Sequence, residues 1–160
     1  MDTLKIESIG EIAVNQRGYY LIIKPEYRTA LTTLEFVPHI QVLWWFDQCD
    51  NSKSRNVLTV DQPYKDAPSK VGTFATRSAE RPNPIALTCC KITYVDLTKG
   101  EVGLGYIDAE NGSPLLDIKP YMPSFDRLEK IGKQPEWFSD WPDSIEKARD
   151  FDWGSVFKFE

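Results

Sequence analysis

Period-2 alternation dominates the informative segments of this chain, and that period points to strands rather than helices. From Leu4 to Val14 the apolar positions Leu4, Ile6, Ile12 and Val14 alternate with polar or small residues, as on a half-buried strand. Tyr19 to Ile23 and Ile40 to Phe46 are short runs rich in aromatic and β-branched side chains, which suit a pleated surface. Val71 to Thr76, Leu87 to Leu97, Glu101 to Ile107 and Pro114 to Ile118 bring the expected strands to about seven. Turn residues separate them at Asp50-Asn51-Ser52, Arg81-Pro82-Asn83-Pro84, Lys99-Gly100 and Asn111-Gly112. Short strands at this spacing with few helices predict a mainly β fold, a barrel or a sandwich.

Two helices interrupt the pattern. Pro25 suits a first helical position for Pro25 to Leu34, and Pro142 does so for Pro142 to Phe151, with Ser139 or Asp140 as the cap. The polar stretch Asn51 to Lys70, with two prolines, is expected to be a surface loop. At 160 residues the chain is sized for one core without disulfide or metal staples. No apolar run approaches the ~20 residues of a membrane helix, and the opening MDTLKIESIG lacks the features of a signal peptide. A cytoplasmic protein without membrane contact is the expectation. Cys49, Cys89 and Cys90 do not make a closed disulfide set. The single histidine, His39, excludes a His-rich metal site and leaves one candidate base for a hydrolytic triad.

The net charge of −5 is unevenly spread: residues 1–135 carry 16 basic against 17 acidic side chains, and residues 136–160 carry 3 against 7. Between Lys53 and Lys91, seven basic residues face three acids, Asp61, Asp66 and Glu80, which marks this stretch as a docking place for an anion. At its centre GTFATRSAERPNPIAL, Gly72 to Leu87, sets Arg77, Ser78 and Arg81 beside two prolines that disfavour helix at Arg81 and Asn83. A stiff loop carrying two guanidiniums, a hydroxyl and an amide suits a carboxylate or phosphate, because the planar fork of Arg arrives with little entropy left to lose. A structural turn held by Arg and carboxylate pairs is the alternative.

A second dense segment is GSPLLDIKPY, Gly112 to Tyr121, in which Asp117 and Lys119 share one face of a strand and Ile118 points the other way. They form either a site pair or a solvated one. There is no Gly-rich dinucleotide loop, no phosphate-binding P-loop and no C-x-x-C; Gly103 and Gly105 sit within an alternating strand and mark a bulge or a close backbone approach. Trp44 and Trp45 face opposite ways on a strand, so one belongs to the core and the other is open to an interface or ligand.

FATRSAERPNPIAL (Phe74 to Leu87) and GSPLLDIKPYMP (Gly112 to Pro123) resemble the two signature motifs of the TsaA-like family, whose characterised branch is the TrmO tRNA methyltransferases. Ile9-Gly10 and the His39-Ile40 strand extend the resemblance over residues 4–126. It implies a single-sheet, antiparallel or mixed β-barrel over residues 1–135, with a short helix. Residues 136–160 then form an acidic helical appendage on the same domain. It further implies an S-adenosylmethionine-dependent methyltransferase that acts on the amino nitrogen of threonylcarbamoyladenosine beside a tRNA anticodon and works as a homodimer.

On that pattern Arg77 matches a cofactor-contacting arginine and Leu87 an apolar wall. Gly105, Tyr106, Ile107 and Asp108 match the strand end that lines the adenosine, and Asp47-Gln48 falls where the characterised branch has His-Gln. Arg81, Asn83, Lys119 and Tyr121 are then expected to face the acceptor, with Asp117 as the candidate base. Methyl transfer from a sulfonium is an in-line displacement in which alignment supplies much of the rate. The chain departs from the pattern in three places. Only NQRG stands between Val14 and Tyr19, where the branch has a longer basic segment; Phe36-Val37-Pro38 replaces Gly-Phe-Ser; and the tail is short and acidic. A methyltransferase of a small acceptor and a non-catalytic binding module therefore stand beside the tRNA enzyme as readings.

Overall fold

The first hairpin shows how local sequence starts the sheet. Strands β1 (Gly10–Asn15) and β2 (Gly18–Ile23) pair antiparallel from Gly10↔Ile23 to Asn15↔Gly18 around a two-residue turn. Gly18 holds φ at +110°, which glycine adopts without steric penalty. The Asn15 side chain accepts from the Arg17 amide at 2.9 Å and donates to the Tyr20 hydroxyl at 2.7 Å. At the other end a Cβ on Gly10 would lie 2.1 Å from the carbonyl oxygen of Ile22, so only glycine fits there.

The computed structural model describes residues 4–158. Its contacts divide into two units, the first made of the described residues up to Asn51 together with Asn83–Arg127. Here β3 (His39–Trp45), β6 (Ile85–Asp96), β7 (Glu101–Leu104) and β8 (Pro114–Pro120) join the hairpin in a closed barrel of order β1-β2-β7-β6-β3-β8, every pair antiparallel. Pairing of Gly10 with Leu115 closes the ring and leaves no open edge. In β3, Ile40, Val42 and Trp44 are buried while the residues between them are not. They meet Ile12, Leu21, Val102 and Leu115 in the barrel core. Each such buried side chain contributes about 1.5–3 kcal/mol.

The second unit comprises Ser52–Pro82 and the described residues from Leu128 onward. It holds a short helix α1 (Ser52–Arg55) and a two-stranded sheet of β4 (Thr59–Asp61) and β5 (Lys70–Gly72). Tyr64, Ala67 and Val71 form its core with Trp137, Trp141 and Phe157. The tail is tied in by its backbone: Lys65 donates to the Val156 carbonyl at 3.0 Å and Lys158 to Pro63 at 3.1 Å. Contacts thus divide the chain elsewhere than at residue 135, because residues 52–82 share their core with the tail.

Several boundaries differ from those the alternation predicts. Leu4 and Ile6 are exposed and precede β1, since ladder pairing on that side begins only where the Ile9 amide reaches the Leu115 carbonyl. Pro25 opens a 3₁₀ segment, Pro25–Leu31, rather than an α-helix to Leu34, and Thr33 is left-handed at φ 70°. The C-terminal helix is one turn, α3 (Ile145–Ala148), capped by Ser144 rather than by Ser139 or Asp140. Val71 continues only to Gly72 before a 3₁₀ turn, Thr73–Ala75, and Pro123–Asp126 forms the short helix α2. Among the described residues no helix is long and apolar enough to cross a membrane.

Candidate functional site

In the barrel unit one hydrogen-bonded chain gathers three segments of the resemblance. Trp44 points inward from β3, 3% exposed, and its indole Nε1 donates to Thr88 Oγ1 at 3.1 Å. Thr88 is the inward residue opposite Val42, and its hydroxyl donates to Asp108 Oδ1 at 3.1 Å. Phe46 stands edge-on to the Trp44 ring, centroids 4.5 Å apart, and its amide donates to the Pro84 carbonyl at 2.8 Å. The end of β3 is thereby pinned to the Asn83-Pro84 corner. Just beyond lies the 3₁₀ turn Asp47–Cys49, from which the Gln48 amide donates to the Glu110 carboxylate.

The segment after β7 runs beside β6. Gly105 donates to the Lys91 carbonyl at 2.9 Å, and Ile107, 1% exposed, anchors the segment in the core. Tyr106 is left 61% exposed, edge-on to Tyr19 at 5.2 Å. Burial, then the charge of Asp108, then Tyr19 push the Tyr106 phenol up, so it stays neutral and able to donate. Asp47, Gln48, Tyr106, Ile107 and Asp108 therefore sit on two short segments cross-linked by Gln48–Glu110, and Thr88 of β6 ties down the second of them at Asp108.

The outward face of β6, β3 and β8 carries the other group. Leu43 lies between Leu87 and Asp117, and Gln41 between Cys89 and Lys119. Asp117 and Lys119 share this face, as their spacing predicts, and pair at 2.7 Å. The hydrogen bond and charge of Asp117 push the Lys119 ammonium up, which keeps it protonated. Asp117 also accepts from the Ile118 amide at 2.9 Å, so its carboxylate is occupied twice. Tyr121 continues the strand by donating its amide to the His39 carbonyl at 2.9 Å. Leu87, 46% exposed, faces outward although its neighbour Thr88 faces in, so the expected apolar wall and Asp108 fall on opposite sides of β6.

Arg77 and Arg81 belong to the second unit. Hydroxyl groups brace their loop. Thr73, 2% exposed, donates to the Val57 carbonyl at 2.8 Å, and Thr76 Oγ1 donates to Thr73 at 2.8 Å. The Arg81 guanidinium donates to the carbonyls of Thr76 at 3.4 Å and Ser78 at 3.2 Å, a structural task within its own loop. Arg77 and Phe74 are exposed at the surface of this unit.

An open cavity of about 380 Å³ lies elsewhere on the barrel, lined in part by Ser8, Glu11, Lys24, Arg28 and Pro114. Its cations are occupied by backbone carbonyls, Lys24 by Ser8 at 2.5 Å and Arg28 by Thr98 at 2.9 Å, and it contains none of the residues above except by chain proximity to β8. The bonded constellation is the better site. Sequence reasoning passed over Thr88 and Glu110; the signal for Thr88 was a polar residue at an inward position of a strand.

A closed antiparallel barrel, with a braced carboxylate and an exposed tyrosine just past β7 and no Gly-rich phosphate loop in its sequence, is a β-barrel outside the Rossmann class. The chain belongs to the family described as the tRNA-methyltransferase O N-terminal domain, whose profile matches residues 10–127. An S-adenosyl-L-methionine-binding protein of Archaeoglobus fulgidus is 35% identical over 116 residues, covering 72% of this chain and 78% of the relative. A tRNA (adenine(37)-N6)-methyltransferase of Escherichia coli is 35% identical over 111 residues, 68% of this chain and 46% of that enzyme. A crystal structure of TrmO superposes with a TM-score of 0.64 at 27% identity, covering 82% of this chain and 64% of that one. The chain thus spans less than two thirds of that solved chain.

Proposed function

We propose that this protein is an S-adenosylmethionine-dependent methyltransferase whose acceptor is the amino nitrogen of threonylcarbamoyladenosine next to a tRNA anticodon, and that it acts in the cytoplasm. The observation that carries the reading is Asp108, a carboxylate held by the Thr88 hydroxyl on a segment cross-linked to Asp47-Gln48. This chemistry fits the cofactor. A fixed carboxylate accepts from the ribose hydroxyls or the adenine amino group of an adenosine, and an exposed tyrosine face suits a cationic sulfonium.

When bound, the cofactor supplies an electrophilic methyl group on sulfur. The remaining work belongs to side chains that bind and orient, since in-line transfer needs alignment more than a covalent intermediate. Asp47, Gln48, Tyr106, Ile107 and Asp108, all of the barrel unit, hold the adenosine end. Lys119, Tyr121 and Asn83 of the barrel unit face the acceptor, Lys119 supplying a cation for a phosphate, while Arg81 remains with the carbonyls of its own loop. Asp117, engaged by Lys119, orients that ammonium and serves as the candidate proton acceptor.

Leu87 and Asp108 lie on opposite sides of β6, so both contact one cofactor only if Leu87 comes from a second copy. The homodimer that the resemblance implies is part of this reading. The tight Asn15–Gly18 turn and the acidic tail favour a second reading, a methyltransferase of a small acceptor. Incubating the protein with isotopically labelled S-adenosylmethionine and tRNA bearing threonylcarbamoyladenosine tests the choice. Label in the modified nucleoside, with binding that weakens steeply as salt is added, supports the tRNA enzyme. Cofactor binding without transfer to any tRNA moves the protein to the second reading.

A further inference from the structure

Trp44, Thr88 and Asp108 are 44 and 20 positions apart along the chain, yet they form one directed series of hydrogen bonds. A threonine hydroxyl has a single proton to give. Because the Trp44 indole N–H, fixed on a 3% exposed side chain, occupies a lone pair of Oγ1, the hydroxyl proton is steered to Asp108 Oδ1. The Trp44 ring is itself held by Phe46, which is bonded through its amide to Pro84. Successive donors of this kind polarise one another, and the last acceptor is a charged group, where such bonds are strongest.

We infer that Thr88 is a positioning residue for ligand binding: it fixes the rotamer of Asp108 so that Oδ1 is engaged internally and Oδ2 is presented to the donor groups of an adenosine. The inference rests on the reading of Asp108 as a cofactor-binding residue. An exposed carboxylate free to rotate loses side-chain freedom each time a ligand binds, whereas one already fixed does not. Thr88 stands on the inward side of β6 and Leu87 on the outward side, so adjacent residues serve different surfaces.

The test uses the full chain and isothermal titration with S-adenosylmethionine and with S-adenosylhomocysteine. Thr88→Val keeps the shape and removes the hydroxyl; the expected result is affinity on the order of tenfold lower for both ligands, the scale of one hydrogen bond to a charged group. Thr88→Ser restores the donor and should bind like the wild type. A residue that only supported the fold would weaken binding equally with or without Asp108. The deciding measurement is therefore Thr88→Val in an Asp108→Ala background, where no further loss is expected. Trp44→Phe, which removes the N–H but keeps a ring, gives an independent reading if Thr88→Val folds poorly, and should lower affinity less than Thr88→Val. Unchanged affinity in Thr88→Val, or a loss that adds to that of Asp108→Ala, overturns the positioning role while leaving cofactor binding intact. Failure of the wild type to bind either ligand at millimolar concentration overturns the cofactor reading itself, and no variant is needed to see it.

Discussion

The Gln48 side-chain amide donates to the carboxylate of Glu110, joining the turn after β3 to the segment between β7 and β8 across 62 positions of sequence. Both residues are exposed, so the bond contributes little to global stability and acts on local order. Glu110→Ala is expected to leave the melting temperature within about 2 °C of the wild type. It should weaken S-adenosylmethionine binding severalfold by loosening the Gly105–Asp108 segment. Calorimetric titration beside a thermal melt checks both halves, and unaltered affinity would separate the bond from the site.

Gly10→Ala places a methyl against a backbone oxygen, and neither strand can yield without breaking ladder bonds. Overpacking of this kind costs about 1–3 kcal/mol. The midpoint of urea unfolding should fall accordingly with the slope unchanged. A midpoint equal to that of the wild type would show that the hairpin shifts freely.

Lys119→Ala removes one member of an ion pair whose side chains are 64% and 47% exposed. Stability should hardly change. Any contribution from the pair follows the raised ammonium pKa: it is present below the ordinary lysine value of 10.5 and is lost as pH rises through the folded value above it. Turnover or acceptor binding should fall more than cofactor binding. The reverse pattern in paired titration and activity assays would exchange the roles assigned to the two faces of the barrel.

Arg77→Ala and Arg81→Ala should differ in kind. Loss of Arg81 removes two bonds to backbone carbonyls and should make the Thr76–Ser78 stretch exchange amide hydrogens faster. Loss of Arg77, which the motif resemblance assigns to the cofactor's carboxylate, should weaken cofactor binding. Hydrogen exchange followed by mass spectrometry, with titration alongside, tells the two apart.

Leu87→Asp puts a charge on the outward face beside Leu43; if the proposed homodimer forms through that face, the wild type should sediment as a dimer at micromolar concentration and the variant as a monomer. A monomeric wild type would remove the second copy from the site.

The strands were legible because strand alternation is local, whereas the choice of a barrel over a sandwich came from the motif resemblance. Tyr19 to Ile23, Ile40 to Phe46 and Pro114 to Ile118 all lie within one or two residues of observed strands, and Asp117 and Lys119 share a face as their spacing requires. The helices were less legible. Pro25 announces a helical start but says nothing about the hydrogen-bond period that follows, and Pro142 announces one that tertiary packing reduces to a single turn at Ile145–Ala148. Around that turn Trp141 packs edge-on to Tyr64 at 4.9 Å and to Trp153 at 5.4 Å, so aromatic contacts rather than helix propensity shape the tail.

By itself the amino-acid order determined which residues share a side within an unbroken run of strand, because that depends on parity. It therefore separated Trp44 from Trp45 and turned Ile118 away from Lys119. At the bulge in β8 parity fails, so Leu115 lies opposite inward Trp44 while Asp117, two residues on, lies opposite outward Leu43. Only the tertiary structure decided which strands became neighbours and in what register. The barrel order β7-β6-β3 brings Trp44, Thr88 and Asp108 into one line of hydrogen bonds. No local pattern foretells that meeting, because register across the barrel is the joint outcome of every inward side chain finding a place in a shared core.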